Sequence, residues 1–350
     1  MPETSISGGS VLVTGGAGFV GSNLVRLLLA EGVGRVHIVD NLLSAERVNV
    51  PAEPRVRFSE ASIADDCLLA SLTDEYDYVI HLSTYHGNQS SIHDPLADHE
   101  NNTLTTLKLY ERIKGFRRLK RVVYSAAGCS VAEKTFGEAQ ATEETDLVSL
   151  WMDSPYSMSK VFGEFYSTYY FKQHGLPAVR ARFQNVYGPR EILGAGRWRG
   201  TPATVWRNVT PTFIFKALDR QPLPLDNEGV GTRDFIYVED VARGLVACAL
   251  RGEAGDVYNL ASGVETSIRE LATKINELTE NTAGFQVLPR RQWDTSGKRF
   301  GSAAKAEREL GFRAVVPLDQ GLEKTVEWTR ANLALIRQTI AKHATHLNVA

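Results

Sequence analysis

Residues 11–22 read VLVTGGAGFVGS, an apolar strand-like run followed by a glycine-rich turn and the start of a helix-like segment. The glycines Gly15, Gly18 and Gly21 stand three residues apart. Glycine permits a tight turn and a close approach of the backbone to a pyrophosphate, whose charge is stabilised at the helix N-terminus. Because a strand and a helix flank the glycines, the stretch predicts a dinucleotide-binding unit rather than an ordinary turn.

The next apolar run, RVHIVD, ends in Asp40, nineteen residues after Gly21. A carboxylate at this place accepts a hydrogen bond from the 2′-hydroxyl of an adenosine ribose, and it repels the 2′-phosphate of NADP. The sequence therefore predicts NAD rather than NADP as the cofactor.

Short apolar runs alternate with helix-like segments through the first half of the chain. The predicted strands are 10–15, 35–40, 55–60, 76–82, 121–126 and 178–186, and the predicted helices are 21–32, 65–73, 95–115 and 155–174. Nearly continuous apolar runs suit a parallel sheet that is buried on both faces. We expect an α/β fold, with a Rossmann-like doubly wound parallel sheet and a smaller C-terminal α/β substrate lobe.

The character of the sequence changes after residue 190. Residues 191–210 are loop-like, with three glycines, one proline and two tryptophans, and helix- and strand-like segments follow to about residue 316. We predict a cofactor-binding domain over 1–187 and a second lobe over 188–330, some of whose elements return to the first domain. Residues 331–350 are predicted to form a C-terminal helix and tail.

Composition narrows the class of protein. The formal net charge of −2 gives no electrostatic reason to expect nucleic acid or an anionic membrane as a partner. No apolar run reaches the roughly 18 residues of a membrane span, and no signal peptide is evident at the N-terminus. Three widely spaced cysteines do not suggest a disulfide framework or a zinc site. We expect a cytoplasmic protein without a metal.

The stretch SPYSMSK, residues 154–160, places Tyr156 and Lys160 four residues apart. Within the predicted helix this spacing puts both side chains on one face. A lysine ammonium beside a phenol favours the phenolate, which can accept a hydroxyl proton while the same carbon gives a hydride to nicotinamide. YxxxK alone is a common sequence, but together with the glycine loop it predicts a catalytic base.

The ordered set of motifs resembles the extended short-chain dehydrogenase/reductase family, in particular its NAD-dependent nucleotide-sugar epimerases, dehydratases and decarboxylases. The resemblance covers residues 10–330. It rests on TGGAGFVGS, VDN at 39–41, HLS at 81–83, SPYSMSK, RFQNVYGPR at 182–190, TRDFIYVEDVARG at 232–244 and YNLASG at 258–263. It implies NAD as the cofactor, a nucleotide-sugar as the substrate of the second lobe, and a homodimer.

The resemblance also implies roles for matching residues. Tyr156 would be the base, and Lys160 would bind the nicotinamide ribose. The other cofactor contacts would be Gly15, Gly18, Phe19, Val20, Asp40, Asn41, Ile63, Leu82, Ser83 and Asn102. The nucleotide-sugar would contact Asn185, Asn208, Arg233 and Arg299, with Arg233 pairing with the diphosphate. Asn208 and Arg299 are equally well explained as a capping asparagine and a surface arginine.

The chain departs from the family pattern at three positions. Ser62 stands where many members have an aspartate beside adenine. Within YSAAGCS, residues 124–130, Ala127 stands where a catalytic Ser or Thr usually bonds the 4-hydroxyl, and Cys129 stands where the decarboxylases have a glutamate. Alanine offers neither a donor nor an acceptor. Ser125, Ser130, Thr84 or a water molecule is a candidate to supply the missing bond.

A polar segment, STYHGNQSSIHDP at 83–95, follows the fourth predicted strand. Its side chains His86, Gln89, Ser90 and His93 either contact the sugar or form a surface loop that ends in a helix cap at Asp94.

The resemblance and these residues favour an NAD-dependent nucleotide-sugar 4-epimerase that acts on a UDP-sugar through a transient 4-keto intermediate. The first alternative is a UDP-glucuronate decarboxylase or another nucleotide-sugar dehydratase of the same family. The absence of an acidic residue at Cys129 and of an Asp–Glu pair after the serine-rich position argues against this alternative. The second alternative is a non-catalytic NAD-binding protein, against which the retained Tyr156 and Lys160 speak.

Overall fold

The computed structural model describes residues 5–128, 135–292 and 297–347. Its largest element is a sheet of seven parallel strands. These strands are β1 (Ser10–Thr14), β2 (Arg35–Asp40), β3 (Val56–Glu60), β4 (Tyr78–His81), β5 (Arg121–Ala127), β7 (Ala178–Phe183) and β11 (Val257–Leu260). The α/β class and the doubly wound parallel sheet predicted from the sequence are confirmed.

The order of the strands places a crevice at the middle of the sheet. The spatial order is β11-β7-β5-β4-β1-β2-β3, so the chain moves outward from β1 through β2 and β3 and then returns to the other side of β1 with β4. In open α/β sheets, ligands bind outside the carboxyl ends of the strands at such a reversal. The ends of β1 and β4 therefore mark the expected position of a site.

Helices cover both faces of this sheet. One face packs against α1 (Phe19–Ala30), α8 (Val238–Arg251) and α10 (Ala304–Leu310). The other face packs against α2 (Asp66–Ser71), α5 (Thr105–Ile113) and α6 (Pro155–His174). Strands buried on both sides need continuous apolar runs, which is the pattern that the sequence shows in β1, β2 and β4.

A second group of elements stands at the carboxyl edge of the large sheet. It contains a three-stranded sheet of β8 (Asn185–Tyr187), β10 (Thr232–Tyr237) and β12 (Glu265–Ser267), and the pairs β9 (Leu223–Asp226) with β13 (Phe285–Leu288) and β6 (Ala141–Thr142) with β14 (Phe300–Gly301). Its core lies between α7 (Val209–Leu218), α9 (Ile268–Thr279) and α11 (Leu318–Ala331).

The remaining helices are short or terminal. They are α3 (Asn88–His93), α4 (Pro95–Asp98), α12 (Leu333–Ala341) and α13 (Ala344–Leu347), with 3₁₀ turns at Arg47–Asn49, Pro202–Thr204 and Asn227–Gly229. Ile336 of α12 packs against Ile192 and Leu193, so the C-terminal helices support the loop that follows residue 190. No helix in the described ranges is both long and apolar enough to cross a membrane.

Two predicted elements differ in detail from the structure. The predicted strand 178–186 is divided at Gln184, because β7 pairs with β5 and β11 whereas β8 pairs with β10 of the second sheet. The predicted helix 95–115 begins at Pro95 but passes through a π-helical segment, His99–Leu104, before α5. Sheet pairing and side-chain packing, which involve distant residues, cause both differences.

Candidate active site

The glycine loop fixes the start of α1 against the ends of β1 and β4. Gly15 has a φ of +73°, and a Cβ atom there would lie 2.7 Å from the backbone nitrogen of Ser83. A Cβ atom at Gly21 would lie 2.2 Å from the backbone oxygen of Gly15. Both positions therefore exclude a side chain, and the close approach brings the helix N-terminus to the crevice. The first turn of α1 has no side-chain cap, so its backbone N–H groups remain available for an anion.

Asp40 ends β2 beside this turn. Its Oδ2 accepts a hydrogen bond from the backbone nitrogen of Ala17 at 3.0 Å, and its Oδ1 accepts one from that of Leu42 at 2.9 Å. Burial raises the pKa of the Asp40 carboxyl, and these backbone hydrogen bonds oppose the rise. The carboxylate therefore both holds the glycine loop in place and faces the crevice.

We predict that Asp40→Ser selectively weakens the binding of NAD. The carboxylate is expected to accept a hydrogen bond from the ribose hydroxyl and to repel a 2′-phosphate, so its removal should lower NAD affinity on the order of 10-fold to 100-fold and lower NADP affinity much less. Calorimetric titration of the cofactor-stripped protein with NAD and with NADP measures the ratio of the two affinities. Glu60→Gln, at an exposed neighbouring carboxylate, is the control. An equal loss for NAD and NADP would contradict the assignment.

The start of α6 places the tyrosine and the lysine. Ser154 caps the helix, its Oγ accepting from the backbone nitrogen of Ser157 at 3.3 Å, and Pro155 occupies the first turn. The backbone nitrogen of Tyr156 also donates to Ser91 Oγ of α3, at 3.1 Å. These bonds fix the register of the helix, so that Tyr156 and Lys160 both line the same cavity.

Lys160 is a buried cation beside the phenol. Its side chain is 5% exposed, and its Nζ donates to the backbone oxygen of Ser125 at 2.9 Å and lies 3.4 Å from Ser125 Oγ. The same Nζ stands 5.9 Å from the centre of the Tyr156 ring. A positive charge at this distance favours the anionic form of the phenol, as a proton acceptor requires.

The floor of the site is apolar at Ala127, where the family resemblance led us to expect a Ser or Thr. Ala127 ends β5 opposite Phe183 of β7 and lines the cavity with only a methyl group. Gly128 follows, where a Cβ atom would lie 2.3 Å from Nε2 of Gln184. Cys129 and Ser130, the other residues singled out in this stretch, lie outside the described residues.

Asn102 differs from the other predicted contacts because it is not among the residues that line the cavity. Its Oδ1 accepts from the backbone nitrogen of Tyr85 at 2.7 Å and from Thr84 Oγ1 at 2.9 Å, and its Nδ2 donates to Asp98 at 2.7 Å. The side chain thus ties the π-helical segment to the chain after β4. This geometry supports a positioning role for Asn102, and direct contact with the cofactor stays a prediction.

Arginines gather at the opposite end of the cavity. Arg233 is held by the backbone oxygens of Thr232 at 2.6 Å and Gly297 at 2.7 Å, and Arg299 lines the wall nearby with a buried Nε that has no partner within the described ranges. Arg290 and Arg291 line the same region and were missed from the sequence, although the pair directly follows β13. A diphosphate is the ligand that such a group suits.

Asn208 forms part of a buried polar group rather than a helix cap. It stands before α7, but its side-chain amide donates to Oε1 of Glu191 instead of capping the helix. Burial raises the pKa of Glu191 to about 7, against the opposing effects of Asn208 and Arg207. Glu191 also lines the cavity and was not predicted, because nothing in its local sequence marks it.

The structure brings the other predicted residues to one cavity of about 800 Å³ at the carboxyl edge of the sheet. The residues on its wall include Gly15, Gly18, Phe19, Val20, Asp40, Asn41, Ile63, Leu82, Ser83, Tyr156, Lys160, Asn185, Asn208, Arg233 and Arg299. Ser62, which replaces the aspartate usual beside adenine, lines it too.

Of the four side chains singled out in the polar segment after β4, two line the cavity and two do not. His86 and Gln89 line the cavity, whereas Ser90 is buried beneath it and His93 is exposed near Gly200. Asp94 caps α4 as expected, accepting from the backbone nitrogen of Ala97 at 2.9 Å. No group of three or more potential metal ligands occurs among the described residues.

The chemistry of the wall fits a dinucleotide at one end and a phosphorylated sugar at the other. An uncapped helix N-terminus behind glycines suits a pyrophosphate, Asp40 suits an unphosphorylated ribose, and the arginines suit a second diphosphate. Tyr156 and Lys160 line the same cavity.

Comparison with known proteins agrees with this geometry. The model of the NAD-dependent epimerase/dehydratase family matches residues 11–261. The UDP-glucose 4-epimerase of Mycolicibacterium smegmatis is 31% identical over 91% of this chain and 98% of its own length. A probable dTDP-glucose 4,6-dehydratase of Sinorhizobium fredii is 30% identical over 92% of this chain and 93% of its own length.

A solved structure is more similar still. The crystal structure of the Bordetella bronchiseptica enzyme WbmF in complex with NAD+ and UDP is 68% identical, with a TM-score of 0.90 over 99% of both chains. The fold and the site define an extended short-chain dehydrogenase/reductase, as the sequence predicted. Within that class, this chain belongs to the NAD-dependent epimerase/dehydratase family.

Proposed function

We propose that this protein is an NAD-dependent 4-epimerase of a UDP-sugar. The observation that carries the proposal is one cavity whose wall contains Tyr156 and Lys160 together with a glycine loop and a group of arginines. A base on the wall of a cavity that both ligands would share can act where they meet. The similarity to WbmF, whose structure holds NAD+ and UDP, and to a UDP-glucose 4-epimerase supports the same choice of ligands.

The glycine loop and Asp40 hold the cofactor at the sheet edge. Bound NAD supplies a reversible two-electron acceptor for the hydride of a secondary alcohol. The N-terminus of α1 would receive its pyrophosphate, and Asp40 would receive the adenosine ribose. Ile63, Leu82 and Ser83 line the cavity near this end and would exclude water from the cofactor.

Tyr156 would act on the 4-hydroxyl of the sugar. Its phenolate oxygen accepts the hydroxyl proton as C4 is oxidised. The phenol returns a proton to O4 after the 4-keto sugar has rotated to present its other face. Lys160 would stabilise the phenolate and bind the nicotinamide ribose, while Ser125 fixes the ammonium.

The arginines on the cavity wall would hold the diphosphate of the substrate while its sugar rotates. Arg233 and Arg299 would bind the diphosphate, assisted by Asn185 and Asn208, and the sugar would bear no fixed contact of comparable strength. A ligand anchored by its diphosphate can present either face of C4 to the cofactor, and this freedom is what a 4-epimerase needs.

The floor of the site argues against the dehydratase alternative. Elimination from the sugar needs an acid and a base beside the 4-keto group. Ala127 and Gly128 carry no such groups, and Gln184 fills the space beside Gly128. A non-catalytic binding protein has no need of the buried Lys160 beside Tyr156.

A panel of nucleotide-sugars tests the proposal. The protein, with NAD, is incubated with UDP-glucose, UDP-galactose, their N-acetylamino counterparts, UDP-glucuronate and dTDP-glucose, and the products are identified by NMR. We expect conversion of one UDP-sugar into its 4-epimer without loss of water or carbon dioxide. Release of carbon dioxide, formation of a 6-deoxy product, or no conversion of any sugar would contradict the proposal.

We propose further that the protein is a homodimer, and that it works in the cytoplasm. The outer face of α6 exposes an apolar stripe of Met158, Phe162, Phe165 and Tyr169, which are 46%, 48%, 59% and 51% exposed. Their spacing puts them on one side of the helix. Such a stripe on a long surface helix suits contact with a second copy of the chain. The free Cys67 and Cys248 accord with a reducing compartment.

We predict that Phe165→Arg converts the dimer into a monomer, because a charge at the centre of an apolar interface costs several kcal/mol at about 25 °C. Sedimentation velocity at micromolar concentration measures the change. Val264→Arg, at an equally exposed apolar residue outside the stripe, should leave the dimer intact. A monomeric wild type, or a dimeric Phe165→Arg variant, would contradict the proposal.

A further inference from the structure

Ala127 leaves the 4-hydroxyl without one of its expected partners on the cavity floor. The base alone cannot orient a hydroxyl that rotates freely about its C–O bond. A second group that accepts from or donates to the same oxygen is therefore needed for efficient proton transfer. Side chains on the cavity wall close to Tyr156 are the candidates for this group.

Two hydroxyls near the floor are already engaged. Thr84 Oγ1 donates its hydrogen to Oδ1 of Asn102 at 2.9 Å, and this bond helps to secure the chain after β4. Ser125 Oγ lies 3.4 Å from Nζ of Lys160 and belongs to the group that fixes the ammonium. Diverting either hydroxyl to the substrate would weaken the support of Asn102 or Lys160.

His86 is a better candidate than Thr84 or Ser125 for the partner of the 4-hydroxyl, because of where its ring lies. Its ring meets the ring of Tyr156 edge to face, with 5.8 Å between the centres and an angle of 69° between the planes. Both rings line the cavity. The backbone oxygen of His86 accepts from Nη1 of Arg199 at 3.0 Å, so the main chain that carries the ring is anchored independently of the ring nitrogens.

The protonation state of the His86 ring also suits this role. Desolvation, reinforced by the positive charges of Arg199, Arg207 and Lys160, lowers the pKa of His86 to about 3. The imidazole is therefore neutral at any working pH, with one N–H donor and one nitrogen acceptor. This is the same pair of functions that a serine or threonine hydroxyl offers.

We propose that His86 is a further catalytic residue, whose ring nitrogen hydrogen-bonds the 4-hydroxyl of the sugar in place of the hydroxyl absent at Ala127. This inference rests on the proposed function of the site. In the oxidation step the O4–H bond breaks and its proton passes to the phenolate of Tyr156, while the C4–H hydrogen leaves with its electron pair, for which NAD would be the acceptor, and a C4=O bond forms. His86 gains and loses no proton in this step, and it directs the O4–H bond toward the phenolate.

The test compares two variants of His86 on whichever UDP-sugar the wild type converts. His86→Phe keeps a flat ring against Tyr156 but removes both nitrogens, and it should lower kcat on the order of 10-fold to 100-fold while UDP and NAD bind as before. His86→Gln retains a donor and an acceptor and should lose much less. A substrate deuterated at C4 should show a larger isotope effect on kcat in His86→Phe, because the oxidation step then limits the rate.

A second substitution tests whether the hydroxyl and the imidazole are interchangeable. Adding Ala127→Ser to His86→Phe should restore most of the lost kcat. His99→Phe, at an exposed histidine that does not line the cavity, is the control for the loss of a histidine. Wild-type kcat in His86→Phe, or no recovery on adding Ala127→Ser, would overturn the role of His86. A wild type that converts no sugar would instead overturn the proposed function, and the inference with it.

Discussion

Tyr156→Phe should lower the turnover number on the order of 10²- to 10⁴-fold, because it removes the one oxygen that accepts the proton of the 4-hydroxyl. The phenyl ring keeps its edge-to-face contact with His86, and the backbone bond to Ser91 Oγ is unaffected. Turnover of the UDP-sugar, measured with saturating substrate and NAD, reports the change. Binding of NAD and of UDP should stay within about twofold of the wild type.

Tyr166→Phe provides the matched control, because this half-buried tyrosine lies on the same helix and packs into the core on the other side. It should leave the turnover number unchanged. Retention of full activity in Tyr156→Phe would refute the assignment of the base. Loss of NAD together with activity would show that the variant acts through binding rather than through the chemical step.

Gly21→Ala should abolish stable NAD binding. The added Cβ atom would lie 2.2 Å from the backbone oxygen of Gly15 and 2.7 Å from Cα of Gly16, and neither backbone atom can move without opening the glycine loop. Overpacking of this kind costs about 1–3 kcal/mol of stability. We expect the affinity for NAD to fall at least on the order of 100-fold, because a shift of the loop also misaligns the N–H groups of α1.

Gly115→Ala is the matched control, because its added Cβ atom would meet no atom within 4 Å. Calorimetric titration with NAD and with UDP, together with circular dichroism, compares the two variants. The UDP affinity should persist in Gly21→Ala, since the arginines stand at the other end of the cavity. Wild-type NAD affinity in this variant would show that the loop tolerates displacement and would contradict the cofactor assignment.

The features that were predicted correctly are those that local spacing determines. The three glycines, their strand and their helix occupy consecutive residues, and Tyr156 and Lys160 lie one helical turn apart on α6. Strands buried on both faces are recognisable in the sequence as apolar runs, and this is why the parallel sheet was predictable. The family motifs also predicted Arg233, which lines the same cavity, and its contact with a diphosphate stays a prediction.

The features that were missed depend on contacts between distant parts of the chain. Gln184 divides a predicted strand because the chain there passes from one sheet to another. The amide of Asn102 holds the chain after β4 against the π-helical segment, a supporting role that the sequence did not indicate, and its contact with the cofactor stays a prediction. Burial lowers the pKa of His86 and keeps its ring neutral, and arginines more than a hundred residues away reinforce the effect. The residues next to Gln184, Asn102 and His86 in the sequence contain no pattern that predicts these distant partners.

The predicted domain boundary at residue 187 stays a prediction, but the structure identifies elements that return across it to the large sheet. The strand β11 (Val257–Leu260) joins the large sheet beside β7, and α8 packs beside α1, although both follow the predicted boundary at residue 187. The sequence indicated that elements return to the first domain but could not identify them. Hydrophobic runs predict that a strand is buried, whereas its neighbours are determined by the packing of the whole sheet.

The most direct test of the central claim follows a deuterium atom at C4 of the substrate. UDP-glucose and UDP-N-acetylglucosamine deuterated at C4 are incubated in ordinary water with the NAD-loaded protein, and NMR locates the label in the product. An epimerase of the proposed kind oxidises and reduces the same carbon, so the label should remain at C4 of the 4-epimer. Transfer of the label to C6 with loss of water, or its loss to solvent, would contradict epimerisation at C4.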